Sequence, residues 1–329
     1  MRNNKYFVMI VISQLLIVFF LGYKIFEKNK NTLGLTTSIN PIKKEVIDSN
    51  PNSKLEYFYE PVPNKTYSPS ISDPWNPNSK AVYTINADSL NERYNYSIEK
   101  PKNIYRIITL GDSFTYGAFV DTKDNWTEIL EDILNNQLTC KNINEFEIIN
   151  LGVQGYDLQY SVERYKSRGI KYNPDLVIWF IINPTRMNER RIPLVTQIEE
   201  ELKKSGKFDK LSDFDKLYKS FQMANEEINN LLGNQGIYNY QKQSLSNLRG
   251  FYKDNLALVM EPWFDDIEKK EFIEFSKNNI NVSFYDKITD TRKDQFHFQG
   301  DPHPNQEGHQ KIAEDVFDYL TKNKLIPCN

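Results

Sequence analysis

Apolar residues fall into three rhythms along the chain, and each predicts a different kind of element. Phe7 to Gly22 (FVMIVISQLLIVFFLG) is apolar all round, with only Ser13 and Gln14 polar. From about Glu27 to Ser79 no period survives among Asn, Lys, Ser and Pro, and pieces such as PVPNKTYSPS read as turns. Beyond Tyr105 short apolar runs alternate with stretches of helical period. Strands are predicted at Tyr105–Leu110, Phe146–Leu151, Asp175–Ile182, Leu256–Met260 and Val282–Tyr285. Helices are predicted at Trp126–Asn136, Leu158–Ser167, Asp266–Lys277 and His309–Leu320, the last with Ile312, Ala313, Val316, Phe317 and Leu320 on one face. The run LVIWFII is apolar without alternation, as in a strand buried on both faces. This order implies a three-layer α/β/α domain around a parallel sheet.

Residues 190–250 break the rhythm. They are charged, amphipathic and strand-poor, and read as a helical insertion after the third strand: a solvated cap, or a lid or partner surface. The predicted organisation is therefore an anchor over 1–26, a tether and irregular lead-in over 27–79, and one domain over 80–329 with an insertion at about 190–250. With its flanking Tyr6 and Tyr23 the apolar segment is just long enough to cross a hydrocarbon core of ~30 Å. No A-x-A site follows it and no lipoprotein cysteine is present, so it reads as an uncleaved signal anchor, with a cleaved signal as the alternative. The expected location is a single pass through a membrane with the body on the extracytoplasmic side.

Composition narrows the chemistry. The 41 basic and 44 acidic residues of this 329-residue chain give a net charge of -3, and no basic stripe points to nucleic acid. Cys140 and Cys328 are the only cysteines, too few for a disulfide framework or a four-cysteine zinc site, although they can pair in an oxidising compartment. P-loop, dinucleotide, H-E-x-x-H and C-x-x-C motifs are absent, so no cofactor or metal is implied.

Two motifs can carry chemistry. Gly111-Asp112-Ser113 directly follows the first strand, placing a serine in the crevice where parallel sheets bind ligands, with Asp112 available as a helix cap. It is not the G-x-S-x-G elbow, since Thr115 stands where the second glycine would be. Near the other end, Asp301-Pro302-His303-Pro304-Asn305 runs into Gly308-His309. The prolines favour extended backbone, in which residues 301 and 303 face the same side and the carboxylate orients the imidazole. Asn305 is placed to cap the final helix.

Together with Asn150-Leu151-Gly152 after the second strand and Asn183 after the third, these blocks resemble those of the SGNH hydrolases, the GDSL-type esterases and acyltransferases. The resemblance covers roughly residues 80–325 outside the insertion and implies a flavodoxin-like domain. It implies Ser113 as nucleophile, His303 as general base and Asp301 as its orienting acid. The N–H groups of Ser113 and Gly152 and the amide of Asn183 would form the oxyanion hole. The family's Gly-x-Asn-Asp block is altered here to Ile-Ile-Asn183-Pro184, which puts the position of the Asn183 amide in question. An acylated small molecule or glycan is the implied substrate, above all an O-acetyl ester of cell-envelope carbohydrate, with envelope polysaccharide assembly partners. Hydrolysis is the leading expectation; acyl transfer to a sugar and a non-catalytic envelope protein on the same fold are the alternatives. His297 and His309 are expected to be structural, as are Trp75, Trp126, Trp179 and Trp263 by default.

Overall fold

Strands whose both faces are covered must be apolar throughout, and this decides where the sheet forms. A computed structural model of the chain describes residues 55–68, 80–206, 211–293 and 295–328. Within them lie β1 (Lys65–Tyr67), β2 (Tyr83–Ile85), β3 (Ile104–Leu110), β4 (Glu145–Asn150), β5 (Leu176–Ile181), β6 (Asn255–Met260) and β7 (Val282–Tyr285). The helices are α1 (Ser113–Tyr116), α2 (Trp126–Gln137), α3 (Leu158–Arg164), α4 (Asn188–Ser205), α5 (Asp213–Phe251), α6 (Asp266–Asn278) and α7 (Gln306–Lys322). The predicted anchor lies outside the described residues, and among those described no helix is long and apolar enough to cross a membrane.

Strands β3 to β7 form one parallel sheet in the order β4-β3-β5-β6-β7. Central β5 is buried along its whole length, whereas edge strand β7 is half-buried. Alternate residues such as Ile107, Ile148, Ile178 and Val259 pack under α2 and α7 through Trp126, Leu130, Ile312 and Val316. Among the remaining helices α3 touches α5, and α5 in turn touches α6. The strand order reverses beside β3, so the crevice at the carboxyl ends of β3 and β5 is the topological switch point of the sheet.

Two predicted boundaries differ from the structure. Residues 55–68, placed by sequence in the lead-in, pack on the domain. Leu55 joins a cluster with Val153, Tyr156 and Tyr160, β1 pairs antiparallel with β2, and Glu60 forms ion pairs with Arg164 and Arg168. Hydrophilic composition hid this, because the segment is held by ion pairs and tyrosines rather than by an aliphatic run. The helical insertion is also two things. Helix α4 and the first part of α5 pack on each other, and α5 breaks at Gly233, whose φ is 59°. Beyond that break Tyr240, Ser244, Leu245 and Leu248 are buried. This part is the crossover helix that parallel neighbours β5 and β6 require. A third, smaller difference lies after α3, where the predicted helix to Ser167 opens into a π-turn over Tyr165–Gly169. Cys140, after α2, and Cys328, after α7, form a disulfide.

Beside the end of β4 three carboxylates are buried together: Glu92, Glu128 and Glu131. Glu128 pairs with Arg93, Glu92 accepts the Asn150 N–H, and Glu131 accepts the Ile148 N–H at 2.6 Å and the Tyr96 hydroxyl at 2.8 Å. Burial outweighs these bonds and pushes the Glu131 carboxyl up to about 7; burial and the neighbouring Glu128 push Glu92 well above the carboxylate range. Between an unfolded value of 4.5 and about 7 the folded chain holds a proton on Glu131 that the unfolded chain has released. That stabilisation is complete below the unfolded value and is lost as pH rises through the window. Denaturant unfolding from pH 5 to pH 8 should therefore show falling stability. Glu131→Gln, which keeps an oxygen for Ile148, should flatten the slope by about 2–3 kcal/mol.

Candidate active site

Ser113 opens α1, a helix of one turn separated from the end of β3 by Gly111 and Asp112. A Cβ on Gly111 would stand 2.2 Å from Thr115 Oγ1 and 2.7 Å from the Phe180 carbonyl, so only glycine lets the strand end approach the helix. Asp112 caps α1 by accepting the Phe114 N–H at 3.1 Å, as its sequence position suggests. A single turn leaves its last carbonyls without helical partners. Three buried asparagines supply them. Asn150 donates to the Thr115 carbonyl at 2.8 Å, Asn125 to those of Thr115 and Tyr116, and Asn91 to that of Tyr116 at 2.8 Å. None of these clamps was found from sequence; their signal was buried in an asparagine-rich composition.

On the opposite side of the crevice His303 Nε2 lies 2.8 Å from Ser113 Oγ, and Nδ1 lies 2.6 Å from Asp301 Oδ1. The same carboxylate oxygen accepts the backbone N–H of His303 at 2.8 Å. Asp301 and His303 thus meet through an Asx-type turn rather than through the extended alternation expected from the flanking prolines. A carboxylate only accepts, so Nδ1 carries the imidazole proton and Nε2 is left to accept from the serine hydroxyl. Asp301 is buried, and the ring of His303 is flanked by Phe114 and Phe119 at centroid distances of 5.3 and 5.1 Å. Asn305 caps α7 by accepting the Gly308 N–H at 3.0 Å, which fixes the end of the loop.

The remaining predicted site residues converge on the same crevice with different bonding. Gly152 packs against α1, where a Cβ would stand 2.6 Å from the Tyr116 nitrogen. Its N–H donates to Asn150 Oδ1 at 2.8 Å, so that donor has an internal acceptor. The Asn183 amide donates to Asp112 Oδ2 at 3.2 Å, leaving one amide hydrogen. Pro184 has a visible consequence. It occupies the second position of a turn closed by the Arg186 N–H and the Asn183 carbonyl at 3.3 Å. The turn returns Arg186 to the site, with Nη1 at 3.6 Å from Asp112 Oδ2 and 3.3 Å from the Tyr156 carbonyl. Arg186 was missed from sequence, although Asn-Pro-x-Arg after a buried strand is a turn signal.

Other singled-out residues serve packing. His309 is buried, its Nδ1 accepts the Trp126 N–H at 3.2 Å, and burial, then nearby His303, push its pKa down to about 3, which keeps it neutral. His297 Nδ1 lies near the carbonyls of Phe298 and Asp301. Trp126 and Trp179 are buried in the core, Trp263 packs on Phe114 beneath Arg292, and Trp75 lies outside the described residues. Among the described residues no group of three or more acidic, histidine or cysteine side chains is arranged to hold a metal ion.

No protein-family model matches the chain, and no curated protein matches it. Solved structures do. A protein assigned to the lipolytic G-D-S-L family from Desulfitobacterium hafniense DCB-2 is similar over 65% of this chain and 99% of its own, at 14% identity and a TM-score of 0.36. The psychrotrophic esterase EstA from Pseudoalteromonas sp. is similar over 67% of this chain and 99% of its own, at 14% identity and a TM-score of 0.39. An acetylxylan esterase from Geobacillus stearothermophilus is similar over 66% of this chain and 94% of its own, at 11% identity and a TM-score of 0.39.

The close approach of Gly152 to α1 leads to a direct expectation. Gly152→Ala places a methyl group against the backbone of the serine-bearing turn, which should cost roughly 1–3 kcal/mol in denaturant unfolding. Reactivity at Ser113, read by fluorophosphonate labelling rate, should fall with it, whereas Gly250→Ala, in a helix with nothing within 4 Å, should leave the labelling rate unchanged and cost no stability.

Proposed function

We propose that the protein is a serine acyl hydrolase. The observation that carries this reading is the continuous hydrogen-bonded chain Ser113 Oγ, His303 Nε2, His303 Nδ1, Asp301 Oδ1 at a sheet switch point. In the proposed reaction Ser113 Oγ attacks an ester carbonyl carbon while its proton passes to His303 Nε2. Asp301 holds the ring in place and stabilises the imidazolium. The tetrahedral oxyanion would be met by the Ser113 N–H and the second amide hydrogen of Asn183, with Gly152 joining if its N–H turns from Asn150. Collapse expels the alcohol, which takes the proton from Nε2 and leaves an acyl-serine. Water repeats the sequence and releases the acid. A sugar hydroxyl in place of water would make the same intermediate an acyl donor.

For substrate we propose ester-linked acyl groups on extracytoplasmic carbohydrate, O-acetyl groups first. Two features support the location: the apolar segment Phe7–Gly22 and the Cys140–Cys328 disulfide, a bond kept in oxidising compartments. The segment would anchor the domain to a membrane.

A fluorophosphonate probe should label the wild-type chain in detergent micelles and leave Ser113→Ala unlabelled. Hydrolysis of 4-nitrophenyl acetate should fall more than about 10³-fold in Ser113→Ala and in His303→Ala. A folded wild type that neither labels nor hydrolyses any ester would point to a non-catalytic envelope protein instead. Free acetate against acetylated acceptor, measured with an acetylated glycan and added sugar, separates hydrolysis from transfer.

A further inference from the structure

The turn that replaces the expected acidic residue after Asn183 brings a guanidinium to the nucleophile's neighbour, and its donors are unevenly used. Nη1 of Arg186 faces Asp112 and the Tyr156 carbonyl. Among the described residues Nε and Nη2 have no acceptor. These two form the side-on fork that matches the oxygens of a carboxylate. The side chain is 19% exposed, so the guanidinium is partly shielded from water. Neighbouring acids do not fill it. Asp112 is buried, with one oxygen on the Phe114 N–H and the other on the Asn183 amide; Asp157 is buried and accepts the N–H groups of Tyr160 and Asn188. A second cation stands behind. Arg191 stacks on Phe221 at 4.8 Å, donates to Asn188 Oδ1, and is pushed down to about 10 by burial and then by Arg186. The two guanidiniums together make this corner cationic, offset in part by Asp112 and Asp157.

We infer that Arg186 is a substrate anchor and that the site selects esters bearing a carboxylate beside the reacting ester. The inference rests on the serine-hydrolase reading for its location and on the Nε–Nη2 fork, which has no acceptor among the described residues, for its chemistry. The carboxylate has two possible sources, the alcohol half, as in an acetylated uronic acid, or the acyl half, as in a hemisuccinate.

Paired substrates separate them. Methyl 3-O-acetylglucuronoside is compared with methyl 3-O-acetylglucoside, and 4-nitrophenyl hemisuccinate with 4-nitrophenyl butyrate, using the full chain in detergent micelles. Wild type should favour the anionic member of one pair by at least about 10-fold in kcat/KM, since a charge-assisted bidentate contact is worth that much. Arg186→Gln should bring that ratio to near unity, and Arg186→Lys, which keeps the charge without the fork, should restore only part of it. Calorimetric binding of methyl glucuronoside and of succinate gives a readout that needs no turnover: one of them should bind wild type, and that binding should weaken at least about 10-fold in Arg186→Gln. The anchor is overturned if neither ratio exceeds unity in wild type, if the preference survives Arg186→Gln, or if neither anion binds. Binding lost in Arg186→Gln while no ester is cleaved would retain the anchor and sink the hydrolase reading.

Discussion

A helix of one turn cannot hold itself together, because nucleation fixes several residues for a single hydrogen bond. Everything at this site depends on how α1 is held nonetheless. Its end is gripped by the side-chain amides of Asn91, Asn125 and Asn150, which come from the stretch after β2, the start of α2 and the end of β4. Three distant parts of the chain thereby agree on one position for Ser113. Each amide replaces a backbone partner that a longer helix would have supplied, and each is buried, where an unsatisfied carbonyl is costly. The serine is therefore positioned by the tertiary structure, and the strands beneath it supply the rigidity.

The five strands of the parallel sheet were legible in the sequence to within a residue or two because a sheet covered on both faces leaves a dense apolar signal, which the short pair β1 and β2 lacks. That Ser113, Asp301 and His303 meet was legible for another reason: two motifs and the resemblance they carry pointed to them, and a chain with three histidines offers few other bases. What escaped was polar and long-range. An asparagine that clamps a carbonyl 25 residues away looks the same as one in a tether. Arg186 reaches the site only because Pro184 bends the chain back, and that consequence belongs to a turn rather than to a spacing. The Asx turn at Asp301 produced the expected contact by an unexpected route.

The two stretches read as peripheral have become structural for related reasons. Residues 55–68 supply Tyr59, whose hydroxyl donates to the Gln154 carbonyl, and accept the Tyr156 hydroxyl in return. The latter part of α5 holds the loop after β5 through Gln241 and the Pro184 carbonyl at 3.2 Å. Both segments look solvated in sequence because their few buried aliphatic side chains are spaced among polar residues and tyrosines. Both brace the loops from which Gly152, Asn183 and Arg186 emerge, so substitutions far from Ser113 in sequence can still displace the groups around it.

The disulfide bears on how the site is assembled. Ser113 and His303 are 190 residues apart along the chain, and bringing such ends together costs conformational entropy. Cys140 follows the serine by one helix, and Cys328 follows the histidine by another. Once that bond exists, the path from serine to histidine through the sulfurs is roughly fifty residues, so the effective contact order of the pair drops several-fold. In a chain that unfolds and refolds with this bond intact, the Ser113–His303 contact therefore closes only the shorter loop.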